Sequence, residues 1–350
     1  MMELKRPRRL KPGDRAALVS LSWGGLGDPQ YIHKYEIAKE RLAREFALTL
    51  VPMPHALSGT DFVAAHPELR ARDLTDAFLD DSIAAVFCAI GGDDSIRTLP
   101  YVDFGAIRRN PKIFMGYSDT TVGHFMMRKA GLVSFYGPSV MAEFGAYVSM
   151  PDYAREAVRR ALFGDTAGWR ILPSPLWSDD RVPWAEANRN TPCRYKPDGR
   201  GYEILQGTGR TRGRLLGGCL DVFPMCVGTE IWPGPDDWRD AILFLETSED
   251  KPSPDAVKWV LRNLAAQGIL RILSGILVGK PQDEAYYEEY KAAILRVVAG
   301  EEKLTELPIV YNMNFGHAAP IGVIPAGALA EIDCEEKSVT VLESATKSAD

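Results

Sequence analysis

A chain of 350 residues, 46% hydrophobic and 25% charged, has the composition of a folded protein of two domains with material for a large core. Its formal net charge of −6 argues against a polymeric nucleic acid as partner, and no run approaches the ~20 continuous apolar residues of a membrane span. The five cysteines, Cys88, Cys193, Cys219, Cys226 and Cys334, lack C-x-x-C spacing, so they indicate neither a disulfide framework nor a zinc site and fit a reducing cytoplasm.

The basic start from Lys5 to Lys11 looks like the n-region of a signal peptide, but Asp14 interrupts it and no small-residue cleavage site follows. The short apolar run Ala16 to Leu21 is better read as the first strand. Strands are expected near Arg15 to Ser20, Thr49 to Pro52, Ala84 to Ile90, Lys112 to Gly116 and Leu132 to Tyr136. They alternate with helical stretches such as Tyr31 to Phe46, the βαβ signature of a parallel sheet with helices on both faces. This first domain is expected over residues 1–168. From Arg170 to Arg212 the chain is rich in Pro, Trp, Arg and Asn and shows no period, which predicts an ordered flap over residues 169–212. A second, smaller mixed domain is expected over residues 213–345. Its best-marked helix has Ser253 as cap, Pro254 in the first turn, Val257, Val260, Leu261 and Leu264 on one face, and Gly268 to close it. Strands near Leu270 to Val278 and Leu307 to Asn312, and a hairpin from Ala328 to Leu342 around Glu335-Glu336-Lys337, complete it.

The chemistry gathers at strand ends. An apolar run from Lys112 ends in Gly116-Tyr117-Ser118 and turns at once into Asp119-Thr120-Thr121, which would lift the Ser118 hydroxyl to the positive end of a helix dipole. Taken alone, Ser118 is better explained as a helix cap. A second run, Ala241 to Leu245, ends in Glu246, and a third, from Leu307, delivers His317 on the loop Asn314-Phe315-Gly316-His317. A hydroxyl needs a base to become a nucleophile, and the base needs a carboxylate to fix its tautomer, so Ser118, His317 and Glu246 form a candidate triad. Glu249 or Asp250 is an alternative to Glu246. Of the other histidines, His33 lies in an expected surface helix, His55 and His66 in polar connections, and His124 six positions after Ser118, pointing away from it. The break Gly91-Gly92 after Ile90 allows a close backbone approach, so the Gly92 and Asp119 amides are candidate oxyanion donors. Gly-Gly-Asp also suits a phosphotransferase, but G-x-x-x-x-G-K-[ST] is lacking.

Four blocks, IGGDDS at Ile90 to Ser95, GYSDTT at Gly116 to Thr121, FLETSED at Phe244 to Asp250 and NFGHAAP at Asn314 to Pro320, resemble the LD-carboxypeptidase family of serine peptidases. The resemblance implies an N-terminal parallel-sheet α/β sandwich of the flavodoxin or class I glutamine amidotransferase kind, joined to a smaller swivelling C-terminal β/α domain. It implies a Ser118-Glu246-His317 triad with Gly92 and Asp119 as oxyanion donors, no metal or cofactor, a small-molecule or short-peptide substrate, and a homodimer. The GGDDS loop and the long segment between the halves look closer to the microcin immunity branch than to the murein enzymes. In that branch, flap aromatics similar in position to Trp177 and Trp184 stack on a nucleotide base, although both rings equally suit anchoring of the flap. Gly91, Trp177, Trp184, Cys219 and Lys251 are thus the expected substrate contacts. Cys219 stands where relatives usually carry Asn, whose amide hydrogen bonds a thiol lacks, and Lys251 better suits an exposed helix start. The implied substrate is a peptidyl- or aminoacyl-nucleotide with a C-terminal amide. The alternatives are a murein tetrapeptide and a non-catalytic role as a small-molecule binding protein.

Overall fold

The apolar runs of the first half become β1 (Arg15–Val19), β2 (Thr49–Pro52), β3 (Ile83–Cys88), β4 (Ile113–Gly116) and β5 (Ser134–Tyr136) in a computed structural model that describes residues 4–348. They pair in parallel in the order β2-β1-β3-β4-β5. Strand β3 is buried at every position, as expected when helices cover both faces of a parallel sheet. The expected strand from Leu132 is ladder-paired only from Ser134, with Leu132 bridging Lys5 instead. The helix Ile32–Phe46 forms, but its His33 is buried and bonded to the Tyr147 hydroxyl (2.7 Å), so that face packs on the body and not against solvent.

Beyond residue 168 the chain adds β6 (Trp169–Ile171), the two-residue strands β7 (Leu176–Trp177) and β8 (Lys196–Pro197), β9 (Glu203–Gln206), β10 (Arg210–Cys219), β11 (Ile242–Glu246), β12 (Gly275–Gly279) and β13 (Ile309–Met313). Three short strands follow, β14 (Ile324–Ala326), β15 (Leu329–Asp333) and β16 (Ser338–Val341). Strands β10 to β13 are parallel neighbours, and β15, β16 and β6 extend the sheet on one side and β9 on the other, all antiparallel.

Three stretches of the segment expected to be a flap are therefore strands of the second sheet, β6, β9 and the first residues of β10. Strand β6 pairs with β16, and β9 with β13. Both are short edge strands set beside glycines, which carry too little period for a sequence pattern to reveal. Their recruitment gives the second sheet eight strands against six in the first, so in strand count it is not the smaller unit. The halves also exchange an element, because β14 crosses back to pair antiparallel with β5 in the first sheet.

The helix Pro254–Ala266 starts where Ser253 Oγ accepts the Ala256 N–H (3.2 Å) and buries Val257, Leu261 and Leu264 against the second sheet. Each such apolar side chain contributes about 1.5–3 kcal/mol on burial. Gly268, at φ +75°, follows its end. Among the described residues no helix is long and apolar enough to cross a membrane. Because β1 to β5 and β10 to β13 are parallel within their sheets, each sheet presents its carboxyl ends along one edge, where open α/β sheets place their ligands.

Candidate active site

Ser118 follows β4 after a single residue and takes φ +63°, a left-handed conformation that costs a non-glycine residue energy and is typical of a nucleophile elbow. The tight turn Ser118–Thr120 leads into the helix Thr121–Ala130, and no side chain of Ser118 caps either of them. The Gly91-Gly92 break presses on this elbow. A Cβ on Gly91 would fall 2.7 Å from Ser118 Oγ and 3.3 Å from the Asp119 nitrogen, so only glycine fits. Asp119 is fully buried and ties the loops together: its Oδ2 accepts from Ser22 Oγ (2.6 Å) and from the Ser95 N–H (2.9 Å), and its carbonyl from Ser95 Oγ (3.0 Å). Gly91 abuts the elbow while Gly92 faces Ser22 and Trp23, and the Gly92 and Asp119 amides donate to no other group among the described residues.

Glu246 ends β11, wholly buried, and its Oε2 lies 2.8 Å from His317 Nδ1. The other face of the ring, Nε2, meets the half-exposed Glu249 carboxylate at 2.7 Å. Burial opposes a charge on His317, but the two carboxylates outweigh it and push the imidazole up to about 10. The same contact, chiefly its hydrogen bond, holds Glu249 down to about 2. His317 is thus an imidazolium clamped between carboxylates, with Nε2 turned to Glu249 and no hydrogen bond to Ser118 Oγ among the described residues. Tyr117 lies edge-on against the imidazole, ring centroids 5.1 Å apart, and its hydroxyl approaches Glu143 (3.3 Å). Glu249, weighed from sequence as an orienting carboxylate, occupies the base nitrogen instead.

Cys219 ends β10 opposite Glu246 of β11, fully buried, with its thiol raised well above the ordinary range by burial and then by Glu246 and Asp221. Its Sγ and donor atoms of Glu246 and His317 lie within 4.8 Å of one another, the one group of described residues whose types and spacing suit a metal ion. In this structure Glu246 and His317 are hydrogen-bonded to each other. His124 has no part in this cluster. It bonds Ser134 Oγ (2.8 Å) and the Gly116 carbonyl (2.9 Å), and burial lowers it to about 4.

The flap meets the site from above the His317 loop, where the Ser178 N–H donates to the Ala319 carbonyl (2.9 Å). Its two tryptophans stand apart. Trp177 lies between Lys280 and Lys196, whose Nζ atoms are 4.7 and 5.1 Å from its ring centre, while Trp184 packs edge-on to Tyr31 with Lys34 Nζ at 5.2 Å. Lys251 is engaged by Asp283 (2.8 Å), which also binds Arg181 of the flap (2.6 Å). Sequence reasoning passed over Tyr136, whose hydroxyl touches both Glu246 and the Ser118 amide, and Thr121. The signal for Tyr136 was available, since it too ends a strand of the first sheet.

Residues 17–137 match the LD-carboxypeptidase N-terminal domain and residues 212–332 the LD-carboxypeptidase C-terminal domain. The microcin C7 self-immunity protein MccF of Escherichia coli is 29% identical over 278 residues, 78% of each chain. A protein of Bacillus subtilis strain 168 described as a probable murein peptide carboxypeptidase is 27% identical over 340 residues, 96% of this chain and 94% of its own. Among solved structures, an MccF-like protein from Streptococcus pneumoniae in complex with AMP superposes with a TM-score of 0.85 at 35% identity, covering 94% of this chain and 98% of that one. Two α/β domains carrying these matched halves define a serine peptidase. The chain belongs to the LD-carboxypeptidase family.

Proposed function

We propose that the protein hydrolyses the C-terminal amide of a peptidyl- or aminoacyl-nucleotide through a Ser118-His317-Glu246 triad. The observation that carries the triad is the buried Glu246–His317 hydrogen bond beside a left-handed Ser118. In this mechanism Glu249 first leaves His317 Nε2, the proton held between them passing to water, and the neutral nitrogen so exposed takes the Ser118 Oγ proton as the oxygen attacks the substrate carbonyl. The Gly92 and Asp119 amides hold the oxyanion, which is the charge that develops only in the transition state. His317 then returns the proton to the leaving amine, the acyl-Ser118 ester forms, and water activated by the same imidazole releases the acid. Glu246 keeps Nδ1 protonated and stabilises the imidazolium.

The nucleotide reading draws on the flap. Two flap tryptophans offer rings to an aromatic base, Trp184 beside the Lys34 ammonium, and the Streptococcus pneumoniae neighbour is described with AMP. A murein peptide is the second reading, supported by the Bacillus subtilis relative that matches 96% of this chain. Side-by-side hydrolysis of an aminoacyl-sulfamoyl adenylate and a murein tetrapeptide, followed by mass spectrometry with wild type and Ser118→Ala, separates them. Ser118-dependent cleavage of the adenylate alone is expected, with turnover falling by about 10³–10⁶-fold in the variant. Cleavage of the tetrapeptide alone moves the protein to the second reading, and full turnover by Ser118→Ala removes the triad.

A further inference from the structure

Nucleophile and base arrive on different sheets, so some part of the fold must set the distance between them. Two buried hydroxyls lie at that junction. The Ser118 N–H donates to Tyr136 Oη (3.0 Å), and Tyr136 in turn donates to Glu246 Oε1 (2.5 Å). On the other side of the same residue, Thr121 Oγ1 donates to the Ser118 carbonyl (2.7 Å) and accepts the Cys219 N–H (2.9 Å). Each hydroxyl uses its one proton and a lone pair, so both relays are complete. Strand β5 supplies Tyr136 and the elbow helix supplies Thr121, while Glu246 and Cys219 are neighbours in register on β11 and β10. The close approach on the Thr121 side needs Gly218: it sits at φ +155°, and a Cβ there would lie 2.5 Å from Thr121 Oγ1.

We infer that Tyr136, with Thr121 as its counterpart, is a positioning residue that locks the strained Ser118 peptide to the carboxylate governing the base. Both polar groups of that peptide are held from the second sheet, one through Tyr136 and one through Thr121. A shift between the sheets is therefore transmitted to the nucleophile at both ends of its backbone. Tyr136 stays protonated in this setting, since burial and the adjoining Glu246 both raise its phenol well above its ordinary range. It also divides Glu246 cleanly, with Oε1 given to the nucleophile's side and Oε2 to His317. The Ser118 amide, engaged in this way, is not an oxyanion donor, which leaves that role to the loop amides.

This inference rests on the triad reading, and the test separates the two. The full-length protein is labelled with a fluorophosphonate, which reacts with an activated serine whatever the natural substrate, and the rate constant is followed from pH 6 to 11.5, so that a limb set by His317 near 10 and a shift above it both lie inside the range, for wild type, Tyr136→Phe, Thr121→Val, Thr121→Ser and Ser118→Ala. Tyr136→Phe is expected to slow labelling about 10-fold or more, and to move the acidic limb to higher pH, because Glu246 deprived of that donor binds the imidazolium more firmly. A merely structural role leaves that limb in place. Thr121→Val is expected to slow labelling and Thr121→Ser to retain it, which keeps the test valid should Tyr136→Phe lose its cooperative thermal transition. Wild-type rate and limb in a folded Tyr136→Phe, or in Thr121→Val, overturn the inference. Labelling that survives Ser118→Ala overturns the triad reading beneath it.

Discussion

His317 meets a carboxylate on each ring nitrogen, 2.8 Å from Glu246 and 2.7 Å from Glu249, and only the first of these suits a general base. A base must be neutral at Nε2 to accept a proton, and the second carboxylate favours the charged form. Glu249→Gln removes one of the two charges that push His317 up to about 10, so the acidic limb of kcat/KM is expected to move to lower pH. An unchanged limb in a pH–rate profile would mean that Glu249 does not contact the base in solution. The sign for stability is opposite. Since the folded value lies above the ordinary 6.5, protonated His317 contributes stability that is full below about pH 6.5 and fades as pH rises through about 10, while the contribution of Glu249, held down to about 2, is lost as pH falls from about 4.5 through that value.

At the scale of the element, the elbow between β4 and the helix Thr121–Ala130 is held from behind by His124. The Gly116 carbonyl only accepts, so Nε2 of His124 carries the proton and Nδ1 accepts from Ser134 Oγ. Burial keeps this imidazole neutral and lowers it to about 4 from 6.5. The unfolded chain therefore binds a proton that the folded one refuses. Stability from this group is present above about pH 6.5 and is lost as pH falls through about 4, a difference on the order of 3 kcal/mol. Thermal midpoints of wild type and His124→Gln between pH 7 and 4 test this, and the variant is expected to lose less stability on acidification. Equal losses would place the acid sensitivity elsewhere.

Across the whole molecule, the site depends on a flap that bridges both halves. Trp184 rests on Tyr31 and Lys34 of the first half, and Trp177 on Lys280 of the second. Lys34 is buried over Tyr147 at 4.2 Å, and burial lowers its ammonium to about 7, so binding of an anion there would be coupled to uptake of a proton above that pH. If either ring stacks on a base, its replacement by Ala removes about 1–3 kcal/mol of binding. That corresponds to roughly 5- to 150-fold in KM for an adenylate substrate, with kcat little changed. Steady-state kinetics of Trp177→Ala and Trp184→Ala check it, and a fall in thermal midpoint without a rise in KM assigns the ring to anchoring the flap.

Local pattern alone placed Ser118, Glu246 and His317 at strand ends, because continuous apolar runs broken by polar residues specify buried parallel strands and where they stop. The cap Ser253, with Pro254 behind it, likewise marked the helix that follows Glu246. Only the folded chain decided that β6 and β9 leave the flap for the second sheet, that β14 returns to the first, and that Glu249 takes His317 Nε2. Tyr136 and Glu246 are 110 positions apart, and no periodicity in either neighbourhood records that one hydroxyl would serve both the nucleophile and the carboxylate. Hydrophobic period fixes which residues enter a layer, whereas the partner each buried polar group finds there is set by how the two sheets are brought together, since a buried donor or acceptor must be satisfied by whatever lies within 3 Å or so.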